Sequence, residues 1–252
     1  MSVQSIISPF LNNLRILTTP SSKKKWNNPY RIFCYGQRIH DFRQLLPYIQ
    51  NPYILITHNS DQNITGEFTD IMNHHLLRGW FAQNLLVRHP KASLIPIGIA
   101  NSHWGHGDIS ALEYVCCSSI PKKNAFYFYF SVSTNHDARE PCKTILESMG
   151  LRFGSSAPKF ILYLKQLASY KYAICPPGNG VDSHRIWESL YLGVIPVVIR
   201  SVFTEQLSER FPCILLDTWE QFNAEELLAT YVPPKRAKYY KHLDLKNILH
   251  RG

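Results

Sequence analysis

The stretch Tyr172-Ala-Ile-Cys-Pro-Pro-Gly-Asn-Gly-Val-Asp-Ser-His-Arg-Ile-Trp-Glu-Ser-Leu-Tyr-Leu-Gly-Val-Ile-Pro-Val-Val-Ile199 decides how this chain reads. An apolar run of strand length enters a turn with two glycines, Gly178 and Gly180. A short polar segment then opens a helix over 183–192, with Asp182 or Ser183 as its cap, and a second apolar strand follows at 194–199. Strand, glycine turn and helix N-terminus in that order turn backbone N–H groups toward an anion. Arg185 adds a planar fork that matches two oxygens at once. Glu188 lies three residues on and shares the helix face; a carboxylate there accepts both hydroxyls of a ribose. A nucleotide with a diphosphate and a ribose suits such a site. The stretch is neither a GxGxxG dinucleotide fingerprint nor a GxxxxGK[ST] phosphate loop. Trp187, Tyr191 and Leu192 read as packing residues.

Working outward, strand and helix alternate. In the second half, strands are expected at 125–131, 171–175, 194–199 and 213–216. Helices are expected at 137–149 with Gly150 as C-cap, then at 159–168, 183–192, 203–209 and 219–230. In the first half, strands are expected at 31–35, 53–57 and 93–98, with a short one at Trp80-Phe81, and helices at 38–48, 82–89 and 108–120. Residues 1–29 read as an irregular lead-in. Alternation with near-continuous apolar strands such as VIPVVI predicts an α/β fold, a mostly parallel sheet covered on both faces. The basic stretch Pro121-Lys-Lys-Asn124 marks the expected boundary between a 1–120 lobe and a 121–252 lobe, whose last helix is expected to pack back on the first. After the 125–131 strand, Arg139 and Lys143 stand four apart on one helix face, and Arg139 is the second diphosphate candidate.

Composition narrows the classes. The chain has 252 residues and 45% apolar residues, those of a globular protein. The start, MSVQSIISPFLNNLRI, is too interrupted by polar residues for a signal peptide, and no run approaches the ~18 apolar residues of a membrane span. Six cysteines without CxxC spacing read as reduced thiols, which sets the expectation of a soluble, cytoplasmic protein. The net charge of +9 favours an anionic partner; Lys23-Lys24-Lys25 and the 235–241 run carry part of it. Nucleic-acid binding is the alternative this charge leaves open, but no helix-turn-helix, zinc-finger or stacking-platform motif accompanies it. His103-x-x-His106 with Asp108 is too loose a spacing for zinc, and His74-His75 and Cys116-Cys117 are no better, so no metal site is expected.

Pro177-Gly178, Arg185, Glu188 and Gly193-Val-Ile-Pro-Val197 together resemble the C-terminal signature of the exostosin-like glycosyltransferases. The likeness extends back to Asn135 and Arg139. The first half, with Thr57-His-Asn-Ser-Asp61, Trp80-Phe-Ala-Gln-Asn84 and Ile95-Pro-Ile-Gly-Ile-Ala-Asn101, looks like small soluble members of that kind from large algal viruses and microbes, which would place a viral protein in the host cytoplasm. The resemblance implies two facing Rossmann-like lobes of the GT-B type, here compact and truncated. It also implies inverting, metal-independent transfer of a hexosyl or pentosyl group from a UDP- or GDP-linked donor to an oligosaccharide or glycoprotein glycan, with no cofactor. Asn135, Arg139, Gly178, Gly180, Ser183, His184, Arg185 and Glu188 would then hold the donor, the arginines gripping the diphosphate and Glu188 the ribose. An inactive sugar-nucleotide-binding protein is a further alternative.

Inverting transfer needs a base for the acceptor hydroxyl. Asp61, after a strand in the HNSD loop, is the first candidate; His58, Asp108, His103 and His106 are rivals. The absence of an Asp-x-Asp motif argues against a metal-dependent single-lobe design. Asn59, Trp104 and His106 are candidate acceptor contacts, Trp104 as a face on which a sugar ring stacks.

Overall fold

The computed structural model describes residues 14–18, 29–157 and 159–235, the first of these by backbone alone. The chain divides into two compact units, one running to Pro96 and the other beginning at Ile97. Residues 97–120, expected with the first lobe, therefore group with the second unit. The basic run 23–25, residues 236–241 and the chain beyond lie outside the described residues.

In the first unit, β1 (Leu14–Thr18), β2 (Tyr30–Tyr35), β3 (Tyr53–His58), β4 (Leu77–Ala82) and β5 (Ala92–Leu94) form one sheet in chain order. β2 to β5 are parallel, and β1 joins the β2 edge antiparallel. β1 falls within the stretch expected to be irregular; its run LRILT carries the alternation of an edge strand. Helix α1 (Ile39–Leu45) buries Ile39, Phe42 and Leu45, a three-residue spacing that turns one face to the core. Helix α2 (Thr69–Asn73) adds Ile71 and Met72. Trp80 is fully buried, and its Nε1–H donates to Thr57 Oγ1 at 2.9 Å, so it is a core residue.

Two expectations fail here. The 82–89 stretch is not helical, because Asn84 takes a left-handed φ of 53° and turns the chain. Its side chain, fully buried, donates to Ser60 O at 2.9 Å. The 93–98 strand stops at Leu94, since Pro96 offers no N–H to a ladder and Gly98 is left-handed at φ 67°.

In the second unit, β6 (Asn124–Tyr127), β7 (Tyr170–Ile174), β8 (Ile195–Ile199) and β9 (Ile214–Leu216) are parallel and adjacent in chain order. Helix α3 (Ile109–Cys117) packs on α5 (Phe160–Ala168). Helices α4 (His136–Ser148), α6 (His184–Tyr191), α7 (Val202–Ser208) and α8 (Ala224–Ala229) complete the alternation. Gly150 at φ 88° ends α4 as expected. The expected 125–131 strand pairs only to Tyr127, and the expected 219–230 helix is broken where Asn223 caps α8 by accepting from Glu226 N. The core gathers Phe128, Phe130, Cys142, Leu146, Tyr172, Ile174 and Val197. Because strand order never reverses among the described strands, there is no topological switch point. The loops after β6 and β7 instead lie side by side at the carboxyl edge.

All six cysteines are free thiols. Cys34, Cys142 and Cys175 are buried, and burial pushes the thiols of Cys34, Cys175 and Cys213 up to about 12. Cys117 is exposed. No helix among the described residues is long and apolar enough to cross a membrane.

Candidate functional site

The loops after β6 and β7 are stitched together by side chains that the sequence marks as candidates. Asn135 caps α4 by accepting from Ala138 N at 3.2 Å, and its amide donates to Gly178 O at 2.7 Å. Arg139, one turn into α4, donates through Nε to Pro177 O at 2.9 Å and through Nη1 to Ser131 O at 2.7 Å. Gly178 N donates to Gly180 O at 3.1 Å. Neither glycine takes a left-handed φ, so the turn does not need them for that. Gly178 serves close approach: a Cβ there would stand 3.3 Å from the Arg139 guanidinium. Lys143 does not join Arg139; its Nζ lies 5.2 Å from the centre of the Phe153 ring, a cation–π contact.

Ser183 takes the N-cap position of α6, yet its side chain makes no capping bond. The first-turn amides therefore gain no side-chain acceptor from the cap, which leaves the helix end suited to an outside anion. Asp182, the other cap candidate, is buried and turned elsewhere. One carboxylate oxygen accepts from Ile97 N at 2.7 Å and the other from Trp187 Nε1 at 2.6 Å. His184 places Nδ1 2.7 Å from Gly98 O, which requires the proton on that nitrogen.

Arg185 points inward. One terminal nitrogen donates to Tyr129 O, and the guanidinium lies 5.2 Å from the Tyr127 ring centre and 5.6 Å from that of Tyr163. Burial opposes its charge; the Tyr163, Tyr127, Cys175 and Glu188 groups around it favour it, so Arg185 stays cationic. Its Nε–H is buried without an acceptor among the described residues. Arg139 is held below its ordinary value first by burial and then by the like charge of Arg185. Two guanidinium groups thus share one neighbourhood, and the hydrogen bonds of Arg139 go to neutral carbonyls.

Glu188 is buried at 4% exposure, and Oε2 accepts from Tyr163 O–H at 2.5 Å. Burial raises its carboxyl above the usual range, while the Tyr163 hydrogen bond and the charges of Arg185 and His106 pull it back. Tyr163 and Tyr127 escaped the sequence reading. Their signal was faint, aromatic residues in a strand and an amphipathic helix that read as core; only the fold brings them against Arg185.

At the carboxyl edge of the first unit, His58 has Nε2 2.9 Å from Pro96 O and Nδ1 2.8 Å from Asn59 Oδ1. Both ring nitrogens are thereby engaged. Asn59 is left-handed at φ 57°, and its backbone N–H donates to Gln83 Oε1 at 3.0 Å. Asp61 is exposed on this braced loop. Asp108 caps α3 by accepting from Ala111 N at 3.0 Å, which gives its carboxylate a structural task. His103, Trp104 and His106 are exposed on the 101–107 loop of the second unit. Among the described residues, no group of three or more His, Cys, Asp or Glu is arranged as a ligand set for a metal ion.

Compared with known proteins, the chain is similar to a "Probable glycosyltransferase" of Arabidopsis thaliana, 28% identical over 97 residues. That similarity covers 37% of this chain and 19% of the Arabidopsis protein, so the chain spans a small part of its relative. Among solved structures it is similar to one described as "Crystal structure of GtfA/B complex", at 10% identity and a TM-score of 0.37, covering 92% of this chain and 60% of the other. No family model matches the chain.

Two outcomes follow from this geometry. The Asp182 carboxyl is pushed up to about 7 by burial, against its two N–H bonds. The folded protein therefore keeps this proton to higher pH than the unfolded chain, and stability declines as pH rises from about 4 to about 7. Asp182→Asn is expected to remove that decline and to cost about 1–3 kcal/mol through a lost acceptor; parallel urea-denaturation curves for both proteins at pH 5 and pH 8 would contradict it. In Tyr163→Phe, Glu188 is expected to titrate at higher pH, read from its carboxyl carbon-13 shift, whereas an unmoved titration would show that the hydroxyl does not hold the carboxylate.

Proposed function

We propose that the chain is a glycosyltransferase that binds a nucleoside-diphosphate sugar in its second unit and transfers the sugar, with inversion, to a glycan hydroxyl. The observation that carries this reading is the pairing of Arg139 and Arg185. Two partly buried guanidinium groups influence each other, the hydrogen bonds of Arg139 among the described residues go to carbonyls, and a helix N-terminus without a side-chain cap and a buried carboxylate stand beside them. A diphosphate supplies the negative charge that this arrangement lacks, and Glu188 stands one helical turn in, the place for a ribose hydroxyl. The 97-residue likeness to a "Probable glycosyltransferase" supports the same class. The finer kinship, exostosin-like and of the GT-B type, belongs to the proposal and rests on the motif from Pro177 to Val197.

In this reading the acceptor oxygen attacks the anomeric carbon as the bond from that carbon to the diphosphate oxygen breaks. The acceptor proton passes to a carboxylate, and Asp61, exposed on a loop held by Gln83 and Asn84, is the residue assigned to receive it. The leaving diphosphate gathers charge, which Arg139, Arg185 and the α6 amides stabilise; this is the part a metal plays in other designs, and the reading is metal-independent. His58 fits less well as the base because both its ring nitrogens are engaged, and Asp108 because it caps a helix.

Arg139→Ala is expected to weaken binding of uridine or guanosine diphosphate about 10- to 100-fold, the scale of a lost charge-assisted hydrogen bond. Arg185→Lys keeps the charge but loses the fork, and it too should bind more weakly. Calorimetric titration checks both, with oligonucleotides as the control that should not bind; unchanged diphosphate affinity overturns the assignment. Asp61→Asn is expected to leave diphosphate affinity intact and to lower transfer to a glycan acceptor by about 10²–10⁴-fold. Equal turnover would move the base to His106.

A further inference from the structure

The 101–107 loop, Asn101-Ser-His-Trp-Gly-His-Gly107, carries a feature that the diphosphate site does not explain. Trp104 is 56% exposed, while Trp80 and Trp187 lie in the core at 0% and 1%. An exposed indole offers a broad apolar face for a ligand to cover. Nor does the loop present this ring by looseness. Trp104 N donates to Asn101 O at 2.9 Å, and Gly107 N donates to Trp104 O at 2.8 Å. Gly107 closes the turn so tightly that a Cβ there would fall 2.0 Å from Asn101 O and 2.8 Å from Ala100 O. Only glycine permits that closure, and the closure holds the backbone that carries Trp104.

The exposed ring is one member of a series. His103 and Trp104 have ring centres 5.1 Å apart; Trp104 and His106 are stacked at 6.1 Å with 24° between planes; His106 and His184 follow at 6.1 Å. His184 opens α6, immediately before Arg185, and its ring is anchored to Gly98 O. A row of rings therefore runs from open solvent to the helix end that bears the two-arginine site.

We propose that this row is a pyranose-binding ledge, Trp104 stacking on the apolar C–H face of a sugar ring and His103 and His106 hydrogen-bonding its hydroxyls. An indole face is electron-rich and broad, and the C–H groups of a pyranose present a weakly positive face to it. Imidazoles both donate and accept, as hydroxyls do. A pyranose combines one apolar face with a hydroxyl rim, and that matches the order of groups along the row. A ledge whose backbone is already held by its turn loses little backbone entropy when the ring docks. What the sugar is for rests on the reading above: it is either the donor sugar, attached to the diphosphate beside His184, or a residue of the acceptor glycan. The ledge itself needs only the four rings.

Titrations of the wild type, Trp104→Ala and Trp104→Phe test this. The probes are uridine and guanosine diphosphate, their hexose conjugates, and neutral β-linked hexose oligosaccharides, read by calorimetry and by tryptophan emission. Trp104→Ala is expected to bind sugar-bearing probes about 10-fold more weakly and the bare diphosphates as before, with Trp104→Phe between the two proteins. A loss confined to the conjugates assigns the ledge to the donor sugar; a loss confined to the oligosaccharides assigns it to the acceptor. Oligosaccharide binding lost in Trp104→Ala, in a protein that binds no diphosphate at all, would uphold the ledge and refute the transferase reading. Sugar-bearing probes that bind Trp104→Ala as tightly as the wild type, or that bind neither, would overturn the ledge.

Discussion

The second unit is organised around the cost of burying one cation. A guanidinium taken out of water must recover its hydration from the protein, or the fold gives way around it. Arg185 recovers it from three directions: the Tyr129 carbonyl, the ring faces of Tyr127 and Tyr163, and the field of Glu188. These partners come from β6 and the segment after it, from α5 and from α6. One side chain therefore ties a strand and the segment after it to two helices. Tyr163 does double duty, since its hydroxyl orients the Glu188 carboxylate while its ring faces the guanidinium.

A sheet whose strands follow chain order sets the rest. With β6 beside β7, the loops that leave them meet at the carboxyl edge, and Asn135 and Arg139 from one loop bind backbone carbonyls of the other. Asp182 and His184 then tie the start of α6 to Ile97 and Gly98. The glycine turn is thus held by side chains on both flanks, and the charged groups near it sit on a rigid base.

The alternation of strands and helices was plain in the sequence because apolar runs such as IPVVI are buried on both faces and leave little room for another reading. The helix bearing Arg185 and Glu188 was legible for the same reason. What stayed hidden depended on tertiary contact. Asn84 turned an apparent helix into a corner because its side chain binds Ser60 O from across the unit, a contact no local pattern encodes. β1 was read as irregular because an edge strand needs pairing on one side only and carries a weak signal. The sequence leaves the cap of that helix open between Asp182 and Ser183; the structure gives the cap position to Ser183 and turns Asp182 to Ile97 and Trp187. Tyr163 and Tyr127 could not be told from ordinary core aromatics until the fold set them against Arg185.

The uneven burial of the thiols has a practical side. Cys34, Cys142 and Cys175 are sealed in the interior, with protons held tightly, whereas Cys117 stands open at the end of α3. Maleimide dyes react with accessible thiolate, so under native conditions the label goes first to the close of that helix. A fluorophore there would sit on the second unit without any engineered residue, ready-made for following ligand capture by polarisation or energy transfer.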